Sequence, residues 1–386
     1  MYSQDGFGLG HYRRTCNIAE EILALEPGAR ILAVVDTPAV SSFPPVTGME
    51  RLKLPTIVKT GSKTWRCADS LSGIEDAVGL RSQMLLQAFC DFSPDMVVVD
   101  HMPTGALGEL KPLLDRASQT RGRPKLFLGL RDILDAPEVI RSVWSQQGAY
   151  DYLQVYDSVL IYGCRSLYDA ELAYRLTPGS QRVVYCNYVA PRDIPRSPDA
   201  SPEKPFILVM GGGGWDAYSL GQSFMDAAPH LLRELDFRAL VLTGPNMPFS
   251  QRQALESRAA GYPVQVQGST QDTSPLLEQA SAVVTMAGYN SLVEILQWRK
   301  KALVVPRAGP SAEQRMRSRL FAVHSLVRML DPDDLTPRRL AAELARLLEA
   351  DAVPNAAAIP PLDGAERAAG VLLACPGEAR SKVPAA

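Results

Sequence analysis

At 386 residues, with 46% hydrophobic and 21% charged residues and a formal net charge of −2, the chain has the composition of a globular protein with a full core and no general nucleic-acid role. No apolar run nears the roughly 18 residues that span a bilayer, and the opening MYSQDGFGLGHYRR lacks the apolar stretch of a signal peptide. The six cysteines (Cys16, Cys67, Cys90, Cys164, Cys186, Cys375) form no CxxC pair and no Cys/His cluster, which argues against a disulfide framework and a zinc site.

The expectation is a cytoplasmic protein without metal or cofactor, with peripheral membrane contact left open. In chain order, a glycine-rich segment begins at Gly6 with only residues 1–4 before it, so the first strand is very short or its start lies upstream. A helical pattern over 12–25 puts Ile18, Ile22 and Leu25 on one face. Strand-like runs follow at 31–35, 96–99, 126–128 and 158–161. Residues 191–205, PRDIPRSPDASPEKP, hold five prolines and no periodicity, which reads as a linker. Further runs lie at 206–210, 239–242, 263–266, 282–285, 302–305 and 327–330, and a late helical pattern at 364–374. The alternation predicts parallel sheets covered on both faces. The division expected is a domain over 1–190, the linker, a second domain over 206–350, and a tail over 351–386 whose helix can pack back on the first domain.

Ligands collect at the carboxyl ends of strands in such folds. In DGFGLGHYRR (5–14), Gly6, Gly8 and Gly10 let the backbone approach a ligand, and a helix N-terminus favours an anion. His11 takes the third glycine position of a dinucleotide fingerprint, which weakens that reading; Asp36 keeps it open. His11 suits a general base, and Asp100 in VVVDHMPTG can orient it or merely form a turn before Pro103. Gly211, Gly212, Gly213 and Gly214, between a strand and a helix, form a candidate phosphate cradle without the GK[ST] of a Walker loop. In MAGYNSLVE (286–294), Ser291 and Glu294 have capping-box spacing. That alone leaves Gly288, Asn290 and the polar pair Glu313-Gln314 unexplained. Arg315, Arg317 and Arg319 are expected to be mostly solvated.

Gly288-Tyr289-Asn290-Ser291, Glu294 and Glu313-Gln314 resemble the donor signature of inverting GT-B glycosyltransferases, G-W-N-S-x-x-E followed by D-Q. The GLGH segment and the glycine loop resemble family 28, the type of the bacterial lipid-linked N-acetylglucosamine transferase; DHMPTG and LRDILD (130–135) resemble a related group of predicted bacterial glycosyltransferases. The resemblance implies the GT-B fold, two Rossmann-like doubly wound domains facing a central cleft. It implies Glu294 on the nucleotide ribose, Asn290, Ser291 and amides near Gly288 on the pyrophosphate, and Gly211 to Gly214 against the phosphates. Glu313 and Gln314 would take sugar hydroxyls, and Gly268 would lie by the base. His11 would be the acceptor's base with Asp100 behind it, and Gly8, Gly10, Arg13 and His101 would face acceptor or phosphate. Met286 stands where the plant signature has a phosphate-binding histidine.

The function expected is therefore metal-independent, inverting transfer from a nucleotide-diphosphate sugar, UDP favoured, to a small-molecule or lipid-linked hydroxyl. A nucleotide-sugar epimerase or hydrolase, an NAD-dependent oxidoreductase and a non-catalytic sugar-nucleotide sensor stand as alternatives.

Overall fold

The computed structural model describes residues 1–6, 8–42, 45–60, 64–68, 73–120, 122–177, 182–192, 204–350, 354 and 356–374. Most of the proline-rich linker, 193–203, and the end of the tail, 375–386, lie outside them. The chain divides into two compact units. The first comprises Met1–Val40, Pro45–Val189 and the chain from Asp363 on; Ala190–Leu362 makes the body of the second. The second unit thus runs past the boundary at 350 read from the sequence.

The first unit runs β1 (Tyr2–Ser3), α1 (Gly10–Leu25), β2 (Ile31–Val35), β3 (Met49–Lys53), β4 (Ile57–Lys59), β5 (Trp65–Cys67), α2 (Ile74–Phe92), β6 (Met96–Asp100) and α3 (Lys111–Gln119). It continues β7 (Lys125–Arg131), α4 (Pro137–Gln147), α5 (Ala149–Leu153), β8 (Ser158–Tyr162), α6 (Ala170–Tyr174) and β9 (Arg182–Tyr185). Seven strands form one parallel sheet in the order β3-β2-β1-β6-β7-β8-β9, and β4 and β5 make a separate antiparallel pair. The two-residue β1 is held on both sides, Tyr2 opposite Val34 and Val99. Central strands such as β8 are buried along their whole length, which is why they read as unbroken apolar runs. The strands that escaped the pattern are at the margin. β3 (MERLK) buries Met49 and exposes Glu50 and Arg51, as a charged edge strand does.

The second unit runs β10 (Phe206–Met210), α7 (Tyr218–Leu231), β11 (Arg238–Leu242), α8 (Phe249–Ala259), β12 (Val264–Gln267), α9 (Ser274–Gln279) and β13 (Ala282–Thr285). It ends with α10 (Tyr289–Gln297), β14 (Ala302–Val304), α11 (Glu313–Val323), β15 (Arg328–Met329) and α12 (Pro337–Glu349). The sheet order is β12-β11-β10-β13-β14-β15, all parallel. Its core joins Ile207, Val209 and Val241 of the sheet to Phe224 of α7 and Leu344 of α12.

A last helix, α13 (Gly364–Leu373), returns to the first unit and packs on α1. A side chain at Gly364 would meet the Tyr188 carbonyl at 2.6 Å, so glycine is what lets this helix begin there. Asn187 Nδ2 donates to Asp363 Oδ1 at 2.7 Å and ties the start of the helix to the end of the sheet.

Candidate active site

Each sheet reverses its strand order at one place. In the first unit β1 sits between β2 and β6; in the second, β10 sits between β11 and β13. Loops leaving adjacent strands at such a point diverge and open a crevice at the carboxyl ends. The segments 5–14, 97–105, 206–220 and 286–294 lie at these two points, and Glu313-Gln314 and Gly268 follow neighbouring strands.

At the first, the chain leaves β1 through Asp5 and Gly6, whose φ of +58° is the left-handed conformation glycine adopts freely. Gly8 closes this turn, its N–H on Asp5 and its carbonyl taking the Thr37 hydroxyl, and Gly10 begins α1. The Asp5 carboxylate accepts from His11 N and Tyr12 N, each at 2.8 Å. It therefore occupies the first-turn amides of α1, where an anion from outside was expected to bind. Burial raises the Asp5 pKa, although His11 and the amides pull the other way.

His11 Nδ1 lies 3.1 Å from Asp100 Oδ1, at the end of β6. Asp100 also carries a partner the sequence did not announce. Arg14, one helical turn after His11 and 1% exposed, donates to Asp100 Oδ1 at 2.6 Å and to Oδ2 at 2.7 Å. The same Arg14 nitrogen lies 2.9 Å from His11 Nδ1. Burial works against the Asp100 charge, but Arg14 and His11 outweigh it and hold the carboxyl below its usual range. Arg13 is partly buried on α1.

His101 has a left-handed backbone (φ +82°), and its ring centre is 4.6 Å from that of His11. Its Nδ1 is buried with no hydrogen-bond partner among the described residues. Burial, then the charges of Arg131, His11, Arg14 and Lys59, push it well below the ordinary imidazole value. With the folded pKa below the unfolded one, its contribution to stability is present above about pH 6.5 and is lost as the pH falls from there. His101→Asn, a residue that tolerates positive φ, is expected to flatten the fall in the denaturant midpoint between pH 7 and pH 5. An unchanged slope would assign that pH dependence elsewhere.

Asp36 does not face a ligand. It is fully buried, accepts from Asp5 N at 2.8 Å and Gly6 N at 3.1 Å, and pairs with Arg81 at 3.2 Å. A ribose-binding role is ruled out by these partners, and with it the ground for a dinucleotide reading. Arg81, also fully buried, binds Glu109 at 2.7 Å; the Tyr2 hydroxyl donates to the same carboxylate at 2.8 Å. Burial opposes the Glu109 charge, yet Arg81 and the Leu107 amide keep its carboxyl below the usual range.

At the second point the four glycines separate into different tasks. A β-carbon on Gly211 would stand 2.5 Å from that of Ala217, and one on Gly214 (φ +95°) 2.7 Å from the Thr243 carbonyl. These two are glycine because the loop packs against the end of β11. Gly212 has φ +58° and open space beside it, and the Gly213 carbonyl accepts from Asn246 N. Trp215, next in the chain, is 54% exposed. Gly268 follows β12; its carbonyl takes the Gly244 N–H at 2.6 Å, and a side chain there would strike Arg252.

After β13, Ala287 takes φ +65° and Gly288 becomes the N-cap of α10 without a side-chain oxygen over the helix amides. Asn290 and Ser291 lie inside the first turn, so Ser291 is not a cap and the capping box read from its spacing does not form. Glu294 is 2% exposed and accepts from the Thr273 hydroxyl at 2.9 Å, a contact from the β12 side of the sheet. Glu313, at the start of α11, binds Arg317 at 2.7 Å, and Gln314 Oε1 accepts from Arg307 N at 3.0 Å. Arg317 is fully buried and reaches the Ala287 carbonyl at 3.3 Å, contrary to the solvated position expected of it. Its charge thus steadies the strained residue ahead of α10. The Asp-x-Asp of this unit, Asp331-Pro332-Asp333, is engaged by Arg315 and Arg319, and no metal-holding cluster occurs among the described residues. No helix among them is long and apolar enough to cross a membrane.

Residues 179–367 match the family described as the glycosyltransferase family 28 C-terminal domain. A UDP-N-acetylglucosamine–N-acetylmuramyl-(pentapeptide) pyrophosphoryl-undecaprenol N-acetylglucosamine transferase of Anaeromyxobacter sp. is 29% identical over 178 residues, 45% of this chain and 44% of that protein. The namesake of Citrifermentans bemidjiense is 27% identical over 168 residues, 42% of this chain and 46% of its own. The chain thus spans less than half the length of the curated relatives it matches. Among solved structures, the kitacinnamycin glycotransferase superposes with a TM-score of 0.63 at 17% identity, covering 95% of this chain and 96% of that one. Acinetobacter baumannii MurG does so with a TM-score of 0.54 at 14% identity, covering 96% and 94%. The fold is that of the GT-B glycosyltransferases.

Proposed function

We propose, from the family 28 type of C-terminal domain over residues 179–367, that the protein is a metal-independent inverting glycosyltransferase. Its donor is a nucleotide-diphosphate sugar, UDP favoured, and its acceptor a hydroxyl on a small or lipid-linked molecule. The observation that carries this reading is the pairing at the β10/β13 reversal: a packed glycine turn on one side and a helix capped by glycine on the other. The contrast with α1, whose amides hold the chain's own Asp5, favours the second unit for the diphosphate.

In this reading Asn290, Ser291 and the amides after Gly288 bind the pyrophosphate. As the glycosidic bond breaks the leaving diphosphate gains negative charge, and helix-terminal amides stabilise it by up to about 2 kcal/mol. Glu294 takes the ribose hydroxyls from its place beside Thr273. Glu313 and Gln314 bind the sugar hydroxyls from the start of α11. His11 takes the acceptor's proton. It does so from the tautomer in which Nδ1–H donates to Asp100 Oδ1 and Nε2 is the basic atom, with Arg14 on both Asp100 oxygens. The acceptor side, Gly8, Gly10, Arg13 and His101, belongs to the first unit. A cytoplasmic setting with peripheral membrane contact suits a lipid-linked acceptor.

The experiment is a donor screen with purified protein, following nucleoside diphosphate release and the anomeric form of the product. Acceptor-dependent release with inversion is expected; free sugar released without acceptor would overturn the reading. Glu294 supplies a sharper check by calorimetry. Glu294→Ala should weaken UDP binding tenfold to a hundredfold, about 1.5–3 kcal/mol for hydrogen bonds to a charged group, and Glu294→Gln should weaken it less. Unchanged UDP affinity in both, with only stability reduced, would leave Glu294 a structural residue, as its bond with Thr273 already makes it.

A further inference from the structure

A departing diphosphate needs positive charge, yet the two segments that flank it carry none: residues 211–215 are GGGGW and 286–291 are MAGYNS. Arg317 is close by but fully buried, with its guanidinium on Glu313 and the Ala287 carbonyl. Arg307 is placed differently. It leaves the end of β14, where its own N–H is fixed by Gln314 Oε1 at 3.0 Å. Its Nε lies 2.6 Å from Asp216 Oδ2, in the loop that leaves β10. β13 runs between β10 and β14. The Arg307–Asp216 pair therefore bridges the strands on either side of β13, across the end from which α10 begins.

We infer that Arg307 is the cation that binds the nucleotide's diphosphate, and that Asp216 holds it across the site before the nucleotide arrives; this rests on the donor-site reading above. The side chains are 39% and 34% exposed, while the paired Nε and Oδ2 are themselves buried and too poorly aligned for a hydrogen bond; a pair held by distance alone gives up its partner to a better-aligned phosphate. A guanidinium presents a planar fork of N–H donors that matches phosphate oxygens two at a time. Its positive charge opposes the charge that builds on the leaving group. The backbone anchor on Gln314 also couples this cation to the start of α11, which is assigned to the sugar, so one segment senses both ends of the donor.

The test compares wild type, Arg307→Ala, Arg307→Lys and Asp216→Asn by calorimetry with whichever of UDP, dTDP and GDP the wild type binds, and with its nucleoside at millimolar concentration. Arg307→Ala should weaken the diphosphate about tenfold to a hundredfold, leave the nucleoside unchanged, and flatten the dependence of binding on salt. Arg307→Lys should fall between. Asp216→Asn should keep most of the affinity, because the cation remains. Equal loss in Asp216→Asn and Arg307→Ala would overturn the assignment by making the pair a loop brace. Diphosphate affinity unchanged in Arg307→Ala would overturn it while the donor reading stands. A wild type that binds none of the three would remove the donor reading and this inference together.

Discussion

Replacing His11 with alanine is expected to lower acceptor-dependent transfer about a hundredfold to ten-thousandfold while the affinity for UDP stays near that of wild type. The split follows from position. His11 is held by first-unit groups, Asp100 at 3.1 Å and Arg14 at 2.9 Å, whereas the nucleotide is assigned to second-unit groups. Loss of the imidazole leaves no uncompensated charge, since Asp100 keeps both contacts with Arg14. Folding should therefore survive, and thermal unfolding checks that it does. Single-turnover transfer and UDP calorimetry on the same preparation decide the matter. An unaltered rate excludes His11 as base; parallel loss of rate and UDP affinity would place it on the donor instead.

Arg81→Met is expected to produce the largest stability change. Arg81 stands between Asp36 and Glu109 with all three side chains fully buried. Removing one partner of a buried pair leaves charge without compensation and costs about 3–5 kcal/mol, which lowers the melting temperature by about 10 °C in a domain of this size. The effect has a pH signature. In the wild type the folded pKa of Glu109 is depressed, so its stabilisation is present above the ordinary carboxylate pKa and is lost as the pH falls through the lower folded value. Without Arg81, burial is opposed by the Leu107 amide and the Tyr2 hydroxyl but by no cation from that position, which shifts the carboxyl toward its protonated form. The gap between the two proteins should narrow from pH 7 toward pH 4. A gap that stays constant would mean the loss comes from packing and not from charge. Activity should fall as well, because Asp36 also holds the amides of Asp5 and Gly6, and Asp5 holds those of His11 and Tyr12.

Several of these groups were visible in the sequence and several were not. His11 and Asp100 could be named from their places after short strand runs. Arg14 could not, because nothing in GHYRR tells which arginine turns inward; the helical phase of α1 against the sheet decides that Arg14 does. Spacing also misled at Ser291 and Glu294. A capping box and a helix whose cap lies three residues earlier share the same letters, and the start of α10 depends on the bend at Ala287 and Gly288. Among the three arginines of α11, the helix face and the demand of Glu313 and the Ala287 carbonyl select Arg317 for burial.

What the sequence by itself determined is local and periodic. β-Branched runs such as FILVM and AVVT need both faces covered, so they declare parallel strands wherever they occur. Glycines at loop ends declare places where the backbone must turn or pass close to other atoms. What only the tertiary structure decided is which charges meet. Asp100 meets Arg14 across 86 positions of chain, Asp36 meets Arg81 across 45 and Glu109 meets Arg81 across 28, and Asp216 meets Arg307 over the end of an intervening strand. These encounters depend on strand order and on which loops leave the sheet side by side. Electrostatic attraction acts between positions in space, and no spacing along the chain records it.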